Sequence, residues 1–139
     1  MKILLDSNVA LDVVLKNEPF YDSASDVIGL SQGGVGLFIS ASTVTDIYYI
    51  VSRAMKSKKI AMSLLKDLLE SVDVAAVTGN EIRKAVNLDW SDFEDAVQYA
   101  SGESIAVDYI VTRNKKDFAS ASLPVVSPDE LLALLNKSK

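Results

Sequence analysis

Four acidic motifs carry the chemistry-bearing pattern of this chain: Asp6 in ILLDSN, Asp46 in STVTDIYY, Asp95 in DFEDAVQ and Asp117 in TRNKKDF. Each falls where a strand is expected to give way to a loop or helix. The sequence has no histidine and no cysteine, so imidazole and thiolate chemistry are closed to it and zinc loses its usual ligands. Carboxylates that converge in a partly dry cleft repel one another unless something positive sits between them. A hard divalent cation held by oxygen answers that need. Magnesium prefers such a donor set and commonly keeps several waters, with manganese a close substitute.

The elements that must position these acids follow from hydrophobic pattern and punctuation. Ile3 to Leu5 is a short apolar run suited to a buried parallel strand, and the Asp-Ser-Asn after it favours a turn and a helix cap. Helices are expected over Val9 to Lys16, ending before Pro19, and over Tyr21 to Ser31, closed by Gly33 and Gly34. A strand over Leu37 to Ser40 precedes a helix over Thr43 to Met55 that is apolar around much of its circumference. Next come an amphipathic helix over Ile60 to Val72, a strand over Val74 to Val77, and helices starting at Glu81 and Asp92. Strands at Tyr109 to Thr112 and Val125 to Val126 lead into a C-terminal helix that Pro128 opens in its first turn. This alternation predicts an α/β fold: a mainly parallel sheet of about five strands with helices on both faces. Sites in such sheets form beyond the carboxyl ends of the strands, where strand order reverses, and Asp6 and the TRNKKD segment lie at such ends.

With 139 residues, 49% of them hydrophobic, the chain is expected to be one domain over 1–139 with a substantial core. The net charge of -5 disfavours binding of polyanions over the whole surface. Local clusters matter more: Arg53, Lys56, Lys58 and Lys59 group together, and Arg113, Lys115 and Lys116 surround the last acidic motif. The opening MKILLDSN has too short an apolar run for a signal peptide, and nothing approaches the roughly 18 to 20 apolar residues of a membrane span, so a cytoplasmic protein is expected.

Each acid also has an ordinary explanation. Asp46 follows Thr43 by three residues and Asp95 follows Asp92 by three, both as in helix caps; Asp6 suits a cap and Asp117 a turn. Other constellations fit less well. Gly34-Val-Gly36 precedes a strand, whereas a dinucleotide loop must follow one; no GxxxxGK[ST] loop occurs; no Ser-His-Asp triad exists without histidine. A receiver domain would want an acid after VDVAAV, and a haloacid-dehalogenase-like phosphatase would want Asp-x-Asp where Asp6-Ser7-Asn8 stands.

The motifs LLDSNVALD, SASTVTDIYYIV, DFEDAVQYA and DYIVTRNKKDF together resemble the PIN domain, the metal-dependent ribonuclease fold typified by VapC toxins of toxin-antitoxin pairs. The resemblance spans essentially the whole chain and implies a three-layer α/β/α sandwich. It implies a catalytic, metal-holding set of Asp6, Asp46, Asp95 and Asp117, with Ser7, Asn8 and Thr112 as accessory polar positions. The family often has glutamate where Asp46 stands and aspartate where Asn114 stands, so Asn114 and Asp117 compete for the fourth position. Asp92 is a further contributor to consider.

The function implied is a Mg²⁺- or Mn²⁺-dependent endoribonuclease: Asp6, Asp95 and Asp117 hold the ion, Asp46 orients or deprotonates the attacking water, and Arg113, Lys115 or Lys116 positions the RNA backbone. An antitoxin protein is the implied partner. A homodimer is expected from the apolar helix around Tyr48, Tyr49 and Ile50 together with the family resemblance, the alternative being that those side chains complete the core. The alternatives are a PIN-like module that binds RNA or protein with little chemistry, and a magnesium-dependent phosphatase.

Overall fold

The computed structural model describes residues 1–137; the part of the single-domain expectation that falls on Ser138 and Lys139 lies outside the described residues. Five strands, β1 (Lys2–Leu5), β2 (Gly36–Ser40), β3 (Asp73–Ala75), β4 (Tyr109–Val111) and β5 (Val125–Val126), form one sheet in the order β3-β2-β1-β4-β5. Every neighbouring pair is parallel. Parallel neighbours need crossover connections: α1 (Ser7–Val14) and α2 (Tyr21–Gly29) lie between β1 and β2, α3 (Ala41–Met55) and α4 (Lys58–Ser71) between β2 and β3, and α5 (Gly79–Leu88) and α6 (Phe93–Ser104) between β3 and β4; a 3-10 turn lies between β4 and β5, and α7 (Pro128–Lys137) follows β5. The α/β/α sandwich expected from the sequence is the fold observed. No helix among the described residues is long and apolar enough to cross a membrane.

Side-chain alternation along the strands divides the core into two layers. Ile3, Leu5, Leu37, Ile39 and Val111 point one way and pack with Val9 and Ala10 of α1, Val27 of α2, Ile47 and Val51 of α3, Leu68 of α4 and Leu131 of α7. Leu4, Phe38 and Ile110 point the other way, against Tyr99 of α6, Val107 and Phe118. α5 and α6 meet through Ala85, Ala96, Val97 and Ala100, small residues that let the two helices lie close.

Helix ends account for the differences from the expected boundaries. α3 starts at Ala41 with Ser40 at the N-cap position, because β2 runs into the helix without a loop. Thr43 is therefore inside the helix, and the Thr43/Asp46 cap expected from the sequence does not form. α5 begins earlier than expected because Thr78 and Glu81 make a reciprocal capping box, with Ser104 of α6 also donating to Glu81. α2 ends at Gly29 and passes into a 3-10 turn over Leu30–Gly33, stopped by Gly34 at φ 90°, which glycine alone adopts without strain.

Candidate active site at the switch between β1 and β4

The chain leaves β1 for β2 on one side and returns, after β3, to β4 on the other, so the connections diverge at the carboxyl end of β1. Such a point opens a crevice between the two crossovers. Two residues beyond Leu4, Phe38 and Ile110 along each strand come Asp6, Ser40 and Thr112, all buried and all on the α6 side by alternation. Polar residues with this degree of burial must find partners. The Asp6 amide continues the ladder by donating to Val111 O at 2.9 Å. Asp6 Oδ1 accepts from the Ser7 amide at 2.7 Å, capping α1, and Oδ2 accepts from the Thr112 hydroxyl at 2.7 Å. Thr112 Oγ1 in turn accepts from Asn8 Nδ2 at 3.2 Å and from the Asn114 amide at 3.0 Å. Ser7, Asn8, Thr112 and Asn114 thus form one hydrogen-bonded frame with Asp6.

α6 brings Asp95 over this frame. A Cβ on Gly102 would come within 2.9 Å of Leu4 Cδ2 and 3.2 Å of Val107 Cγ2, so the helix rests directly on β1 at that residue. Asp95 lies seven residues earlier, on the same helix face and about 10 Å further along the axis. Leu4 to Asp6 covers only about 7 Å of strand, so Asp95 ends up a little beyond Asp6 at the mouth of the crevice. Asp92 starts the helix: its Oδ1 accepts from the Asp95 amide at 3.1 Å, the cap expected from the sequence. Asp117 arrives from the other side, in a 3-10 turn over Lys115–Phe118 anchored by buried Phe118.

The charges register this convergence. Asp95 is pushed up from 3.8 to about 7, first by burial and then by Asp92, Asp6, Asp117 and Glu94. Asp117 is raised by burial and by Asp6 and Asp92, against a lowering hydrogen bond from Asn114. Asp46 is not among the charges acting on either. It lines an adjoining groove with Ser42, Thr45, Phe93 and Glu94. The structure therefore brings Asp6, Asp95 and Asp117 together with Asp92, and sets Asp46 to one side. Among the described residues no group of three or more carboxylates is placed to hold a metal ion. The donor chemistry nonetheless suits a hard cation: oxygen ligands only, like charges raising one another, and a buried Gln98 Oε1 without a hydrogen-bond partner one turn from Asp95.

Of the three nearby cations, two are already engaged. Arg113 forms a two-pronged pair with Asp12, Nε to Oδ2 at 2.6 Å and Nη2 to Oδ1 at 3.1 Å, and its guanidinium lies 4.0 Å from the Phe20 ring centroid. Lys115 pairs with Glu130 of α7 at 3.0 Å. Lys116 has no ion pair among the described residues. Asp12, 1% exposed, was missed in the sequence reading. The signal was present: one acid within the apolar run VALDVV must be paired when that helix is buried. Its pairing with Arg113, together with the Arg113 amide donating to Asn8 Oδ1 at 3.3 Å, ties the loop carrying Asp117 to α1.

Comparison with known families gives a match to a family model described as PIN domain over residues 2–116. Comparison with curated protein sequences returned no match. Among solved structures, the chain is similar to VapBC2 from Rickettsia felis bound to a DNA fragment from their promoter, with TM-score 0.72, 18% identity and 91% of this chain and 98% of that one covered. It is similar to a toxin-antitoxin complex from Klebsiella pneumoniae, with TM-score 0.65, 21% identity and coverage of 91% and 97%. It is similar also to VapC20 of Mycobacterium tuberculosis, a sarcin-ricin loop cleaving toxin, with TM-score 0.68, 13% identity and coverage of 85% and 94%. At these identities the structural likeness is one of fold.

Proposed function

Because the chain belongs to the PIN domain family, we propose that it is a divalent-metal-dependent endoribonuclease whose site is the acidic crevice at the end of β1. The observation that carries this reading is the burial of Asp95 beside Asp92, Asp6 and Asp117, which together push its carboxyl up to about 7 and mark where positive charge is stabilised. Asp6, Asp95 and Asp117 would hold Mg²⁺, or Mn²⁺ in its place, directly or through water. When bound, the ion supplies Lewis-acid stabilisation of the phosphodiester and eases deprotonation of water. The residues do the rest. Thr112 and Ser7 fix the Asp6 carboxylate, Asn114 steadies Asp117, and Asp46 acts from its groove on the attacking water. Lys116 meets the RNA backbone, and Arg113, held by Asp12, fixes the loop between them.

The toxin described as cleaving the sarcin-ricin loop supports RNA as substrate class, and the toxin-antitoxin complex supports a protein partner. A homodimer through the exposed Tyr49 and Ile50 of α3 belongs to the same proposal. The placement of Asp46 apart from the other acids favours, as a second reading, a PIN-like module that binds RNA or protein with little chemistry.

The test incubates purified protein with structured RNA, with and without Mg²⁺ or Mn²⁺, beside Asp6→Asn and Asp95→Asn. Cleavage by the unaltered chain alone, and only with the ion, is expected. Cleavage surviving in chelator or in both variants sinks the assignment, and inactivity throughout with retained RNA binding supports the second reading.

A further inference from the structure

Beside the acidic crevice runs a second groove of about 220 Å³, between the α5–α6 turn and the segment after β4. It is smaller than the roughly 300–1,000 Å³ of sites for drug-sized ligands, which suits one flat ring system better than a whole substrate. Trp90 lines it. The indole packs 5.0 Å from the Tyr99 ring, tilted by 34°, and edge-on to Phe118 at 6.1 Å. The Tyr99 hydroxyl is itself fixed, donating to Glu103 at 2.7 Å and lying 2.5 Å from Ser122 Oγ. Trp90 is thus a rigid aromatic surface, half-buried, in a groove that Leu88 and Ala119 also line but whose walls are otherwise polar, with Asp89, Asp92, Asp117 and Lys116 among them.

We propose that this groove is a base subsite that receives a guanine of single-stranded RNA next to the phosphodiester held at the acidic crevice. Asp92 and Asp117 stand on both sites, lining the groove while their charges act on Asp95, so a nucleotide spanning the two keeps its phosphate at one and its base at the other. Unstacked RNA bases are taken up by aromatic side chains and read on their Watson–Crick edges. The recognition chemistry here is acceptor-rich. An ionised carboxylate only accepts, and guanine alone among the four bases presents two adjacent N–H donors, N1 and N2, that one carboxylate can take together. Asp89 is the carboxylate placed for that role. It is exposed, no hydrogen bond or ion pair engages it among the described residues, and it is held in a left-handed conformation at φ 54° at the end of α5. Lys116 offsets the acids at the rim.

This subsite deepens the ribonuclease reading and rests on it for the placement of the phosphate, but its test does not. Uncharged nucleosides are added to the full-length chain in chelator, where no cleavage occurs. The probe is the indole N–H resonance of the chain's one tryptophan in a ¹H–¹⁵N spectrum. Guanosine is expected to shift that signal with a millimolar Kd, at least fivefold tighter than inosine, which lacks the 2-amino group, and tighter than adenosine, cytidine or uridine. Asp89→Asn, an amide that tolerates the left-handed backbone, is expected to weaken guanosine at least fivefold while leaving the adenosine shift unchanged. An unmoved indole with every nucleoside overturns the subsite. Equal shifts by all nucleosides, or full guanosine affinity in Asp89→Asn, overturn the assignment of guanine to Asp89. Loss of RNA cleavage with retained guanosine binding would instead count against the nuclease reading alone.

Discussion

Asp95→Asn should stabilise the metal-free protein at alkaline pH. In the folded chain the Asp95 carboxyl sits near 7, against 3.8 without its surroundings. The folded state therefore binds more protons than the unfolded one between about pH 4 and pH 7, so ionising this group opposes folding, progressively from the lower value and fully above the higher. A shift of about three pH units corresponds to a ceiling of roughly 4 kcal/mol at 1.36 kcal/mol per unit. The side chain opens partly to water and the repulsion is screened, which reduces this to about 1–2 kcal/mol. Asparagine also forfeits the favourable charge in the first turn of α6, about 0.3–1 kcal/mol. A net gain of about 1 kcal/mol remains, worth about 3–4 °C in Tm for a chain of this size. Thermal melts in chelator at pH 8.5, 6.5 and 4.5 would measure it: the variant should lead at 8.5, lead by less at 6.5, and lose its advantage at 4.5. Adding Mg²⁺ at pH 8.5 should raise the Tm of the unaltered chain more than that of the variant. A variant that melts at or below the unaltered chain at pH 8.5, or an advantage constant across pH, would refute the account of an Asp95 carboxyl that burial and neighbouring acids make costly to ionise.

Three further substitutions probe the surroundings. Thr112→Val keeps the shape of a fully buried side chain but removes the donor to Asp6 and the acceptor for Asn8 and Asn114; a loss of about 1–3 kcal/mol in denaturant unfolding is expected, with RNA cleavage down about 10–100-fold. Gly102→Ala presses a methyl into Leu4 and Val107, and should cost about 1–3 kcal/mol despite alanine's better helix propensity; an unchanged or higher Tm would show that α6 is not seated on β1 as described. Arg113→Ala strips buried Asp12 of its partner and should destabilise by about 3 kcal/mol, with Asp12→Asn/Arg113→Ala recovering part of the loss in a double-mutant cycle.

What the sequence disclosed was local. ILLDSN shows a strand end because an apolar run meets cap-forming residues, and Asp92 with Asp95 shows a helix start because both partners lie within one turn. The Thr43/Asp46 spacing looked the same and misled, because the cap position depends on how abruptly β2 passes into α3, which spacing alone does not record. Relations across the fold were beyond reach. Asp12 and Arg113 are separated by 101 residues, and which of three neighbouring cations stays unpaired depends on α1 and α7 packing against the loop. The Trp90 groove is likewise made by two segments that only the finished sheet brings side by side.

The strand order has a consequence in time as well as space. β1 is made first, yet its neighbour on the Thr112 side is made more than a hundred residues later, and Asp6 and Thr112 are 106 apart in the chain. A nascent polypeptide that has reached only β3 can pair one edge of β1 and has no means of setting Asp117 or the Arg113 clasp against Asp6. The site therefore comes into being only once β4 has been made and docks against β1, and a chain that stops short of β4 lacks it. For a protein whose proposed activity would damage the RNA around the ribosome that makes it, this order of assembly keeps the hazard from chains that stop short of β4.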